Sequence, residues 1–103
     1  MTGEQFKRLR AGDMIEMDEK TYRVRDKDGM GRVKLHKMVC SFYDSHGYDD
    51  YDTFAEAEEA KQQAIDDADT EAEIERLERE EIDWRLDRDA EPFWMHYKDI
   101  EED

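Results

Sequence analysis

Apolar and polar positions along this chain change their period three times. From Asp13 to Cys40 they alternate. Met14-Ile15-Glu16-Met17 is followed by Thr21-Tyr22-Arg23-Val24-Arg25, with Tyr22 and Val24 inward, and by Arg32-Val33-Lys34-Leu35-His36, with Val33 and Leu35 inward. Period two is the pattern of half-buried strands. Turn chemistry separates the runs, at Asp18-Glu19-Lys20 and at Asp28-Gly29-Met30-Gly31. After Lys37 the apolar phase moves to Met38, Cys40 and Phe42, and a bulge near Lys37 would accommodate the shift. The expectation is a three-stranded antiparallel meander whose outer face carries Arg23, Arg25, Arg32 and Lys34.

From Thr53 the period lengthens. Thr53-Phe54-Ala55-Glu56 is a capping box, and Pro92 disfavours helical geometry at Glu91, so a long helix is expected over 53–91. At 100° per residue, Phe54, Ala57, Ala64, Ile65, Ala68, Ala72, Ile82, Leu86 and Ala90 share one stripe. Ile74, Leu77 and Trp84 fall on a second, roughly opposite face. Either the helix breaks near 66–70, where Thr70-Glu71-Ala72-Glu73 offers a second capping box, or the second face meets another subunit. The break is preferred. A three-stranded sheet needs cover for its apolar face, and the helix is the only segment long enough to supply it. The fold class expected is therefore α+β, a small meander packed by a long acidic helix.

Shorter segments complete a single domain over 1–103. Thr2-Gly3-Glu4-Gln5 caps a short helix to about Arg10, and residues 44–52 read as an acidic, Tyr-rich loop. Residues 92–103 form an aromatic tail, read as an edge strand or a helical turn, with Glu101-Glu102-Asp103 a frayed end.

Charge changes this picture most. The net charge is −15 and 46% of residues are charged. Residues 1–43 carry a net +3, whereas 53–91 hold 16 acidic against 5 basic side chains. Such a segment repels nucleic-acid phosphates and complements a basic protein surface. Cys40 is the only cysteine, which rules out an intramolecular disulfide. The sequence has neither a secretory core nor an apolar run near 18 residues, which leads to an expectation of a cytoplasmic chain without membrane contact.

Catalytic and metal-binding patterns are missing. Asp44, His46, Asp49, Asp50 and Asp52 match neither an EF-hand nor a zinc set. No nucleophile constellation and no phosphate-binding glycine loop appears, and solvated helix carboxylates lack a pocket to separate their pKa values. The expectation is a chain with no enzymatic activity, no cofactor and no metal.

Between Lys61 and Arg76 no basic residue interrupts Asp66, Asp67, Asp69, Glu71, Glu73 and Glu75. On a continuous helix of about 57 Å, from 1.5 Å of rise per residue, carboxylates would recur at nearly the phosphate spacing of one DNA strand. In size, acidity and lack of catalytic motifs, the chain resembles the small phage-encoded nucleic-acid mimics of the anti-restriction and anti-CRISPR type. That resemblance implies an inhibitor that blocks the basic nucleic-acid-binding surface of a host nuclease or guide complex, acting in the host cytoplasm. The partner-binding residues expected are those six carboxylates, flanked by Tyr48, Asp49, Asp50 and Tyr51. The alternative is a homodimeric structural or adaptor protein that associates through Ile74, Leu77 and Trp84.

Overall fold

The computed structural model describes residues 1–44 and 47–101; His46 and the expected frayed end at Glu102-Asp103 lie outside them. The order is α1 (Gly3–Arg8), β1 (Met14–Met17), β2 (Lys20–Lys27), β3 (Arg32–Asp44), β4 (Gly47–Tyr51), α2 (Phe54–Asp66), α3 (Glu71–Arg79), β5 (Asp83–Leu86), β6 (Phe93–His96) and a 3-10 turn (Tyr97–Asp99). The fold is α+β, but the expected architecture is wrong. Six strands make an antiparallel sheet with short helices, in place of a three-stranded meander under one long helix.

The 13-residue β3 is the reason. Part of it pairs with β2 (Val24 opposite Leu35), part with β6 (Val33 opposite Met95) and part with β4 (Phe42 opposite Asp49); β5 pairs with it as well. Its run Met38–Phe42 is buried on both faces, so the apolar phase shift after Lys37 needs no bulge there. The register irregularity sits on β2 instead, between Val24 and Asp26. The segment expected as a loop over 44–52 largely belongs to the β3–β4 hairpin.

The helix stops early for local reasons. α2 ends at Asp66, and Thr70 restarts the chain as α3 by accepting the Glu73 amide at 3.2 Å. Glu71 and Glu73 then occupy the first turn of α3, and Arg76 and Arg79 its last, which matches the helix dipole at both ends. Glu80 turns extended, and the expected helix to Glu91 gives way to β5.

Two compact units share the chain: Met1–Met38 with Leu86–Asp103, and Val39–Arg85. In the first, Leu9, Ile15, Met17, Val24, Val33, Leu35 and Ile100 form the core, with Phe6, Tyr22, Phe93 and Met95 packed against it. Arg25 and Arg32 on the strands of this unit are exposed as expected, whereas Arg23 and Lys34 are half-buried. Arg32 lies 5.6 Å over the Trp94 ring. In the second unit, Ala57 of α2 and Leu77 of α3 are buried along with Val39, Cys40 and Phe42 of β3.

Candidate functional site

The second unit holds 17 acidic and 4 basic side chains. Three of those four cations are engaged inside the unit. Arg76 donates to the Tyr43 carbonyl at 3.2 Å and lies 5.3 Å over the Tyr43 ring. Arg85 pairs with Asp50 and stands 5.8 Å over the Tyr48 ring. Lys61 of α2 donates to the Glu80 carbonyl at the end of α3. Carboxylates on the helical surface are thus left in large excess.

α2 and α3 pack against each other and leave a cleft of about 600 Å³ beside the β3–β4 hairpin. Ala60 and Ala64 of α2 and Ala68 just past its end recur every four residues and, with Leu77 and Tyr51, supply the cleft's apolar wall. Small side chains there are what keep the space open. Asp44, Asp67, Asp69 and Glu73 bring four carboxylates to the same cleft. Gln63 fixes one of them, its amide donating to Asp67 Oδ2 at 3.0 Å. Tyr51 stays protonated above the usual phenol range, first because burial disfavours tyrosinate, then because Asp49 and Asp44 repel it.

Of the expected site residues, Asp67, Asp69, Glu73 and Tyr51 meet at this cleft. The others do not line it. Asp66 is exposed and accepts from the Gln62 amide at 3.2 Å. Glu71 and Glu75 are exposed on α3. On β4, Tyr48 is 61% exposed and its ring stands edge-on to Tyr43, 5.3 Å away, while Asp49 and Asp50 are exposed. Asp44 and Gln63 were not singled out by their spacing. The alanine row that runs along α2 and just past its end was the available signal, since so small a stripe leaves room beside a helix.

The preferred break near 66–70 is where α2 ends and Thr70 caps α3, so no continuous 57 Å rod exists: α2 and α3 have 13 and 9 residues, and the match to phosphate spacing along one strand is lost. The helical face expected for Ile74, Leu77 and Trp84 fails, because Trp84 belongs to β5, and Leu77, 1% exposed, is packed inside its own unit.

Such a cleft can take the end of a lysine or arginine. The alkyl stem would lie on the alanines, and the cation would replace water among the carboxylates. Among the described residues, no group of three or more His, Cys, Asp or Glu is placed to hold a metal ion. Likewise, no helix is long and apolar enough to cross a membrane. Comparison with protein-family models, with curated proteins and with solved structures finds no match.

Proposed function

We propose that the chain is a non-enzymatic acidic blocker, which binds the basic nucleic-acid-binding surface of a nuclease or guide complex and excludes the nucleic acid from it. The observation that carries this reading is the cleft, in which four carboxylates from β3, the α2–α3 turn and α3 surround an apolar wall. An acidic surface serving only solubility has no use for such a cavity. A basic side chain does, because desolvated and paired it gains more than it would on an open face.

The mode of mimicry changes accordingly. Recognition rests on one or two seated cations and on the surrounding negative field, with no linear register of charges. Association is fast and salt-sensitive on that account.

The test uses the immobilised chain against purified nucleases and guide–effector complexes at low and high salt, with and without their own nucleic acid. One partner should bind at low salt, weaken steeply as salt rises, and be displaced by its DNA or RNA. The triple substitution Asp67→Lys, Asp69→Lys, Glu73→Lys should abolish that binding, with folding verified by circular dichroism. Reversal of Glu71, Glu75 and Asp83, outside the cleft and exposed, should weaken it far less. Equal losses from both sets, or simultaneous binding of protein and nucleic acid, would refute the reading.

A further inference from the structure

α2 has another stripe, and it lines a second and larger cavity. Phe54, Ile65 and Ile82 give an open groove of about 960 Å³ its apolar surface, between α2 and the segment 78–82 that leaves α3. None of the groove's residues is shared with the carboxylate cleft. Phe54 is 43% exposed at the first position of α2, where helix formation makes no demand for an aromatic ring. Lys61 holds the groove's two walls together through the Glu80 carbonyl.

The rim is as informative as the floor. Glu58 and Glu59 stand on the α2 side and Glu78 and Glu81 on the other, all four exposed. Only Lys61 and Arg79 oppose them, and Lys61 is bonded inward. An apolar trough between two rows of glutamate complements an amphipathic helix with a basic polar face. A second copy of this chain is disfavoured as the occupant, because it would bring a net charge of −15 up to the same glutamates.

We propose that this groove docks a basic amphipathic helix of a protein partner, apolar side chains on Phe54, Ile65 and Ile82 and lysines or arginines over Glu58, Glu59, Glu78 and Glu81. The proposal rests on the reading of a basic protein partner, but it places recognition at a site apart from the cleft. Charge at the rim speeds encounter, and the apolar floor discriminates helices from other basic segments.

A fluorescein-labelled Leu/Lys peptide of about 14 residues, roughly four helical turns, is the probe, its leucines spaced i, i+3, i+4, i+7. The control peptide has the same composition in an order that breaks the stripe. Anisotropy should show the striped peptide binding at least about tenfold tighter than the control, a difference of about 1.4 kcal/mol. Phe54→Ala, at an exposed position that can be truncated without unfolding, should remove most of that preference. The cleft variant Asp67→Lys, Asp69→Lys, Glu73→Lys should retain it, so loss of the blocking activity and loss of helix docking can be told apart. Equal binding of the two peptides, no effect of Phe54→Ala, or a wild-type dimer in sedimentation that Phe54→Ala dissolves would each overturn the proposal.

Discussion

Tyr51 lies flat against Phe42, with ring centroids 5.9 Å apart and planes within 8° of each other. Phe42 is 1% exposed, so this stack ties one wall of the carboxylate cleft to the buried stretch of β3. Truncating Tyr51 should collapse the wall. Tyr51→Ala is expected to cost about 2 kcal/mol in denaturant unfolding, whereas Tyr51→Phe keeps the stack. The phenol's raised pKa adds a pH signature. Its share of stability is present below the ordinary tyrosine range and is lost as pH rises through it, since the unfolded chain ionises first. Tyr51→Phe should flatten that part of the alkaline stability loss.

Cys40 gives the same sign at lower pH. Burial pushes its thiol from 9.0 up to about 11. Below pH 9 both states keep the proton; between about 9 and 11 only the unfolded state releases it, and stability falls. Cys40→Ala should remove up to about 3 kcal/mol of that pH-dependent loss, at the cost of a small cavity at all pH values. Native protein should resist iodoacetamide at pH 8 and react once unfolded.

Leu77 sets a test of the dimer alternative. A seam residue would tolerate Leu77→Asp as a folded monomer. Being 1% exposed inside its unit, it should instead unfold that unit when charged, and Leu77→Ala should cost about 3 kcal/mol. Circular dichroism with sedimentation distinguishes the two outcomes.

Gly31 combines a positive φ of 89° with a close approach. A Cβ there would stand 2.7 Å from His96 Nε2 and 3.1 Å from the Tyr97 ring. Gly31→Ala should destabilise by about 2 kcal/mol or more and disturb the β3–β6 pairing. Loss of amide protection at Val33 and Met95, before that at Ala57 and Leu77, would show it in hydrogen exchange.

Thr70 and its neighbours bear on the crowded carboxylates. Because Glu71 and Glu73 sit on the first turn of α3, part of the crowding stabilises the fold. Thr70→Ala should cost about 1 kcal/mol and Glu71→Lys about 0.5 kcal/mol. Thermal unfolding at low salt, where such terms are largest, is the measurement.

Strand chemistry in the first 40 residues was legible because alternation there is unambiguous. Thr53 and Thr70 likewise announced both helix starts. β5 was not read, for a definite reason. Ile82 and Leu86 lie four apart and satisfy a strand and a helix equally; Trp84, two from each, is the residue that separates the periods, and it alternates with Asp83 and Arg85. β4 has no alternation: Tyr48-Asp49-Asp50-Tyr51 sets two acids between two tyrosines, and those rings meet Tyr43 and Phe42 of β3, contacts that no local pattern announces. Six of the ten expected binding residues reached neither cleft nor groove, because linear crowding of carboxylates says nothing about which side of a helical turn each one takes. Asp44 came to the cleft from a strand, a tertiary fact that no local pattern carries.

The placement of β3 also fixes an order of events during synthesis. Arg32–Leu35 must wait for Phe93–His96, with most of the chain made in between. Pairings that distant close slowly, since loop entropy is lost before any contact repays it. Val39–Arg85, by contrast, is one continuous segment, complete before β6 leaves the ribosome. Until then one edge of β3 stays open to any strand nearby. The nascent chain is therefore most prone to mispairing and aggregation just before Phe93–His96 arrive, and a protein shortened ahead of Phe93 would hold that vulnerable edge permanently.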